Sequence, residues 1–206
     1  MKITADDLKG GLMAVIRSDS ATQARGICTA LAQGGVNLLE IAVNCDHGAD
    51  AIRNVREDAR PGVIVGAGSV LSAKSAAAAC DAGAAFLVSP AFNTGVHAVA
   101  REREVLYVPG ILTPTEIMTC MDAGLELLKL FPAGLHGPGY LQDLKGPFPN
   151  LKIMPTGGVN LSNLKEFTDA GAWCIGVGGS LLKKVFIDLE DWSALEAEAR
   201  KYVGAL

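Results

Sequence analysis

VIVGAGSVLSAKSAAAACDAGAAFLVS, residues 63–89, passes from one apolar strand-like run to the next through a helical segment. VIVGA (63–67) is short, apolar and rich in β-branched residues, as a buried strand requires. SAKSAAAACDAG (72–83) is alanine-rich and ends on a glycine where a helix C-cap belongs. AAFLVS (84–89) is apolar again. A strand, a helix and a second strand over this length make a βαβ unit, whose strands pair in parallel with a right-handed crossover.

The same unit recurs in both directions. Strand-like runs are read at LMAVIR (12–17), VNLLEIAV (36–43), VIVGA (63–67), AAFLVS (84–89), VLYVPG (105–110), LELLKLF (125–131), LKIMPT (151–156) and AWCIGVG (172–178). Helical segments such as ATQARGICTALAQGG separate them, and Gly34, Gly83, Gly124 and Gly171 stand at expected helix ends. Eight such units close naturally into a (β/α)₈ (TIM) barrel, a compact one at 206 residues. An open doubly wound sheet is the alternative, but no G-x-G-x-x-G opens the first βα turn. KITADDLKG reads as a short N-terminal helix that caps the barrel bottom. DLEDWSALEAEARKYVGAL reads as a closing amphipathic helix with Trp192, Leu195, Ala199 and Val203 near one face. Residues 1–206 are therefore expected to form one domain.

Half the residues are hydrophobic and only 5% aromatic, so the core must be built from Ala, Val, Ile and Leu. The formal net charge of -4 gives no electrostatic reason to expect nucleic acid or an anionic membrane as partner. No signal peptide is recognised, and no window reaches the length of a transmembrane helix. Cys28, Cys45, Cys80, Cys120 and Cys174 are odd in number and include no C-x-x-C, which suits reduced thiols and a cytoplasmic location.

A barrel carries its active site at the C-terminal ends of its strands. The polar residues there are Arg17, Glu40 with Asn44, Ser69, Ser89 before Pro90, Thr113, Lys129, and the turns PTGGVN (155–160) and GVGGSLL (176–182). Glu40 and Lys129 each interrupt an apolar strand. With a side-chain period of two, Glu40 shares a face with Leu38 and Asn44, and Lys129 with Leu127 and Phe131. Their strands, the second and sixth, lie on opposite walls of an eight-stranded barrel, narrow enough for two long side chains to meet.

Such a pair allows specific chemistry. A neutral lysine amine attacks a ketone, and apolar surroundings disfavour the charged form of an amine. The resulting iminium is an electron sink that permits scission of the carbon–carbon bond β to nitrogen, while a nearby carboxylate moves protons. A buried structural ion pair is the other reading, and structural pairs too perturb ionisation.

The glycine turns after the seventh and eighth strands suit a phosphate held by backbone N–H groups, although the same glycines can serve only to make tight turns. Asn160 is expected to cap the following helix. Arg17 can clamp a carboxylate or lie solvated in a loop. His47, His97 and His136 show no metal-binding spacing and are expected in loops or on helix surfaces, and Cys45 is expected to be an ordinary thiol.

These residues in this order resemble the class I 2-keto-3-deoxy-6-phosphogluconate (KDPG) / 4-hydroxy-2-oxoglutarate (KHG) aldolase family. The likeness covers nearly the whole chain through GLMAVIR, GGVNLLEIAV, VGAGSVL, FLVSPAF, VPGILTPTE, LLKLFPA, KGPFPNLKIMPTGGVN and GVGGSLL. The resemblance implies a metal-independent (β/α)₈ barrel without cofactor, typically a homotrimer, acting on a keto-acid sugar phosphate. It implies that Lys129 forms the Schiff base and that Glu40 is the acid/base. Phe131 would pack beside the imine, and Pro90 and Thr113 would line the pocket. Ser69 and Thr156 would contact the pyruvoyl carboxylate or sugar hydroxyls, and Gly157, Gly158, Gly179 and Ser180 would bind phosphate.

Two positions depart from the family's common pattern. Asn44 stands where many members carry a carboxylate-binding arginine, and Arg17 is the candidate replacement. Ser69 stands where threonine is usual. A related branch acting on the galactonate epimer also pairs a strand-1 arginine with an asparagine after the glutamate, so Asn44 leaves the sugar stereochemistry open, while PTGG favours the gluconate branch. The expected reaction is cleavage of KDPG to pyruvate and glyceraldehyde 3-phosphate, with KHG as a second substrate giving pyruvate and glyoxylate. The alternatives are a 2-keto-3-deoxy-6-phosphogalactonate aldolase, a phosphosugar isomerase or synthase, and a non-catalytic sugar-phosphate-binding barrel.

Overall fold

A computed structural model describes residues 2–206. The first half alternates β1 (Leu12–Ile16), α1 (Ala21–Gln33), β2 (Leu38–Ala42), α2 (Gly48–Asp58), β3 (Ile64–Gly68), α3 (Ala73–Asp81), β4 (Phe86–Val88) and α4 (Thr94–Glu102). Next come β5 (Leu106–Val108), β6 (Gly110–Ile111), α5 (Pro114–Asp122), β7 (Leu127–Leu130), α6 (Gly137–Lys145), β8 (Lys152–Pro155) and α7 (Leu164–Asp169). The chain ends with β9 (Ile175–Val177), α8 (Lys184–Asp188) and α9 (Trp192–Val203).

All pairings are parallel. One sheet has the order β5-β4-β3-β2-β1-β9 and the other β6-β7-β8, with a single bridge between Thr156 and Gly176 joining the end of β8 to β9. The expected fifth strand is split into β5 and β6 at Pro109, which has no N–H to donate to a ladder; its carbonyl instead accepts the Lys129 N–H at 2.8 Å.

Two apolar clusters lie on opposite faces of the strands, as a period of two dictates. Leu39, Ile41, Leu128, Leu130 and Ile153 face outward onto the helices. Met13, Leu38, Phe86, Val88, Val108, Leu127 and Met154 face inward. The expected N-terminal helix is a 3₁₀ turn, Ala5–Leu8, and Ile3, Ala5 and Leu8 join the inner cluster. The Trp173 indole N–H donates to the Ala5 carbonyl at 2.7 Å, holding this plug at the N-terminal ends of the strands.

Side chains set the helix starts. Ser20, Ser72, Asn93, Thr113 and Asp191 each accept an N–H of the first helical turn. At the helix ends Gly34 is the C-cap of α1, as read from the sequence, with right-handed φ -75° and left-handed Gly35, φ 94°, after it; Gly83, Gly124 and Gly171 directly follow the C-caps of α3, α5 and α7 and take left-handed backbone. The closing helix α9 buries Leu195 and Ala199 as read from the sequence, with Trp192 and Val203 partly buried at its ends.

Candidate active site

Above the inner apolar layer, the next inward positions along the strands turn polar. Leu38 is followed on its face by Glu40, Leu127 by Lys129, and Met154 by Thr156, all three buried. Neighbouring glycines make the space: a Cβ at Gly68 would overlap the Glu40 carboxylate, one at Gly66 the Phe86 ring, and one at Gly176 the Thr156 side chain.

Lys129 Nζ stands 3.5 Å from Glu40 Oε1, at ion-pair distance, although the two residues are 89 apart in the chain. Lys129 is 6% and Glu40 1% exposed. The ammonium also lies 5.5 Å from the centre of the Phe131 ring. Glu40 Oε2 and Thr156 Oγ1 are buried without a protein partner among the described residues, and both belong to residues lining a cavity of about 430 Å³. A polar group of a bound molecule would satisfy them.

The strand ends form the cavity wall. Arg17, Glu40 and Asn44 line it from β1 and β2, Ser69 and Pro90 from β3 and β4, and Lys129, Phe131 and Thr156 from β7 and β8. Gly157, Gly158, Gly179 and Ser180 close it on the side of the last two strand ends. Arg17 is exposed and makes no ion pair among the described residues, so its guanidinium is available to a ligand. Ser69 holds left-handed backbone, φ 55°, a conformation uncommon for a non-glycine residue and one that recurs at functional sites.

Not every expected residue reaches the cavity with a free group. Thr113 is absent from its wall. Its hydroxyl caps α5 in a reciprocal arrangement with Glu116, whose carboxylate takes the N–H groups of Leu112 and Thr113 at 2.7 Å each. Burial pushes the Glu116 carboxyl up, but these hydrogen bonds prevail and hold it below its ordinary value. Ser89 donates its hydroxyl to the Val70 carbonyl at 2.6 Å. Ser180 Oγ donates to the Val159 carbonyl at 2.6 Å, so its hydroxyl proton is spent and only the backbone N–H of Ser180 is left to donate to a ligand. Asn160 does not cap α7: its Oδ1 accepts the Ser162 N–H at 2.8 Å in a local turn, and the helix starts later, at Leu164. Val15, Leu71 and Val159 also line the cavity. Val15, on β1, sits two positions before Arg17, so the strand period was the signal that could have found it, whereas Leu71 lies beyond the end of β3 and the left-handed Ser69, where that period no longer applies.

The family model for KDPG and KHG aldolase matches residues 5–198. The chain belongs to the KDPG and KHG aldolase family. As a member it is an aldolase, a lyase acting on carbon–carbon bonds. It is 38% identical over 192 residues to the 2-dehydro-3-deoxy-phosphogluconate aldolase of Pseudomonas aeruginosa, covering 92% of this chain and 86% of that protein. It is 34% identical over 196 residues to the KHG/KDPG aldolase of Escherichia coli K12, covering 94% and 91% respectively. Among solved structures it is similar to KDPG aldolase from Legionella pneumophila, captured with pyruvate as a covalent carbinolamine intermediate. The TM-score is 0.89 at 25% identity, with 97% of this chain and 98% of that one covered. A native KDPGal structure matches with a TM-score of 0.86 at 27% identity, over 94% and 93% of the two chains. No helix among the described residues is long and apolar enough to cross a membrane.

Proposed function

We propose that this aldolase cleaves 2-keto-3-deoxy-6-phosphogluconate to pyruvate and glyceraldehyde 3-phosphate through a Schiff base on Lys129. The observation that carries this reading is the buried pair of Lys129 Nζ and Glu40 Oε1, 3.5 Å apart, beneath a cavity lined by both residues. Glu40 takes the ammonium proton, and the freed amine attacks the C2 ketone to give a carbinolamine. Glu40 returns that proton to the carbinolamine hydroxyl, which leaves as water to give a protonated iminium and a free carboxylate. Removal of the C4 hydroxyl proton by Glu40, through water, lets the C3–C4 electron pair flow to nitrogen. Glyceraldehyde 3-phosphate leaves, the enamine takes a proton at C3, and hydrolysis of the iminium releases pyruvate and regenerates Lys129. KHG follows the same course to pyruvate and glyoxylate.

The other cavity residues take roles by their chemistry. Arg17 and Asn44 hold the carboxylate end, with Ser69 and Thr156 offering hydroxyls to it or to the sugar, and Pro90 and Phe131 supply apolar wall. Gly157, Gly158, Gly179 and Ser180 hold the phosphate through backbone N–H groups. Those of Gly158, Gly179 and Ser180 have no acceptor among the described residues. A second reading, cleavage of the galactonate epimer, is favoured by Asn44 and the unpaired Arg17 on one side of the cavity, and by the likeness to the KDPGal structure.

The test is to incubate the protein with pyruvate and borohydride and map the adduct by mass spectrometry. A reduced pyruvoyl group on Lys129, absent in Lys129→Arg, supports the proposal; no adduct on any lysine rejects it. Turnover of the two epimers decides between the readings.

The same proposal extends to the assembly. The two parallel ladders, bridged at Thr156 and Gly176, are read as one closed (β/α)₈ barrel forming a single domain over 1–206. The chain is read as a homotrimer, a reading supported by its likeness to a protein cage designed by fusing symmetric oligomeric domains, with a TM-score of 0.86 at 26% identity. A solution mass other than three times the chain mass rejects it. Five unpaired cysteines fit a cytoplasmic location.

A further inference from the structure

The turn at 157–160 does not hold its shape through regular secondary structure, and its carbonyls are each tied by a hydrogen bond. The Gly157 carbonyl accepts the Gly134 N–H at 2.7 Å. The Gly158 carbonyl accepts the side-chain amide of Asn163 at 3.0 Å and that of Asn160 at 3.4 Å. The Val159 carbonyl accepts the Ser180 hydroxyl at 2.6 Å. In a trans peptide the N–H points opposite to the C=O. With the Gly157 carbonyl aimed at Gly134, the Gly158 N–H points the other way; with the Gly158 carbonyl aimed at Asn163, so does the Val159 N–H. Both N–H groups lack an acceptor among the described residues, and both residues line the cavity. Gly157 and Gly158 share left-handed backbone at φ 82°, which any tie must hold against the freedom of glycine.

Asn163 is the residue that grips this turn from both sides. Besides donating to the Gly158 carbonyl, its Oδ1 accepts the Asn160 N–H at 2.9 Å, so one amide spans Val159. Asn163 does not itself line the cavity. We propose that Asn163 is a positioning residue that aims the Val159 N–H group at the substrate's phosphate, beside the Gly158 N–H that Gly134 orients. This rests on the reading of the glycine turn as the phosphate site. Successive N–H groups so aimed form an anion-binding concavity. Without the clip the Gly158 carbonyl keeps only the longer bond from Asn160, the Gly158–Val159 peptide loosens, and the phosphate loses the Val159 donor while the imine chemistry at Lys129 is untouched.

The experiment compares the native chain with Asn163→Ala and Asn163→Asp, the latter keeping the acceptor for Asn160 and losing the donor to Gly158. Three quantities are read: KM and kcat for KDPG, competitive inhibition by inorganic phosphate, and the pyruvate concentration that half-saturates borohydride trapping. Both variants are expected to raise KM for KDPG and the inhibition constant for phosphate roughly tenfold, the effect of about one lost hydrogen bond to a charged group. kcat and pyruvate trapping should stay within about twofold of native, a split that general loosening of the fold would not produce. Equal loss of pyruvate trapping overturns the positioning role, and so does an unchanged KM. Asn163→Asp alone decides if the alanine variant does not fold. If inorganic phosphate fails to inhibit even the native protein, the reading of the turn falls and the proposal with it; if native trapping also fails, the Schiff-base reading falls.

Discussion

Lys129→Met keeps an unbranched, flexible side chain and deletes its charge. In the native chain the ammonium is the cation facing Glu40, at 3.5 Å, and that carboxylate is 1% exposed with Oε2 unpartnered. The variant leaves the carboxylate without a cation. Removing one partner of a buried ion pair costs about 3–5 kcal/mol when nothing else solvates the survivor. The cavity beside Glu40 can admit water, which lowers the expectation to ~2–3 kcal/mol. At roughly 2–4 °C per kcal/mol for a domain of this size, the melting temperature should fall by about 4–12 °C. Glu40→Gln in the Lys129→Met background strands no charge, and most of the loss should return. Unfolding of the native chain, both single variants and the double variant, at one protein concentration, gives the coupling energy, expected above ~1 kcal/mol. Turnover should fall by roughly 10⁴-fold or more in Lys129→Met, with or without Glu40→Gln. A Lys129→Met protein as stable as the native one, with no coupling, would refute the electrostatic argument. Retained turnover would refute the assignment of Lys129.

Gly68→Ala puts a methyl group into the Glu40 carboxylate, so turnover should drop more than tenfold for a stability cost of about 1–3 kcal/mol; activity and melting assays together would show a retained rate if Glu40 can move aside. Burial pushes the Glu198 carboxyl up, but hydrogen bonds from Lys183 at 2.7 Å and Lys201 at 2.9 Å hold it below its ordinary value of 4.5. A depressed carboxyl contributes stability that is present above the unfolded value and lost as pH falls through the folded one. Glu198→Gln should therefore weaken the fold at pH 7 and flatten its acid-side loss below about pH 4.5, read from melting temperature against pH. Cys45 is exposed, whereas Cys28, Cys120 and Cys174 are buried and their thiols pushed up by that burial. A disulfide reagent should modify Cys45 rapidly in the folded chain and those three only on unfolding, and fast reaction of Cys174 would contradict its burial.

Local patterns were enough for the alternating elements and for the two charges inside apolar strands. LLKL and LLEIA alternate inner and outer faces, so the face of Lys129 and of Glu40 follows from the period of a strand. Glycines at 157 and 158 mark a turn wherever they fall. These features depend on residues within a few positions of one another, and so a one-dimensional reading reaches them. Other features depend on what arrives from elsewhere in the chain. Thr113 looks like any strand-end hydroxyl until Glu116 and the start of α5 claim it. Asn160 reads as a helix cap, but the helix begins later and its side chain turns to Ser162. Pro109 splits a run that appears continuous on the page. The Ser180 hydroxyl is spent on Val159, across two turns that the sequence separates by 21 residues.

What the sequence by itself determined is which residues could do chemistry and on which face of each strand they stand, because side-chain alternation is a local property of the backbone. Only the tertiary structure decided that Lys129 and Glu40 meet, that Gly68 leaves room for the carboxylate, and that Asn163 grips the glycine turn. Those are distances between segments far apart in the chain. They are fixed by how the strands pair and by which hydrogen-bonding group finds which partner when the apolar faces are buried.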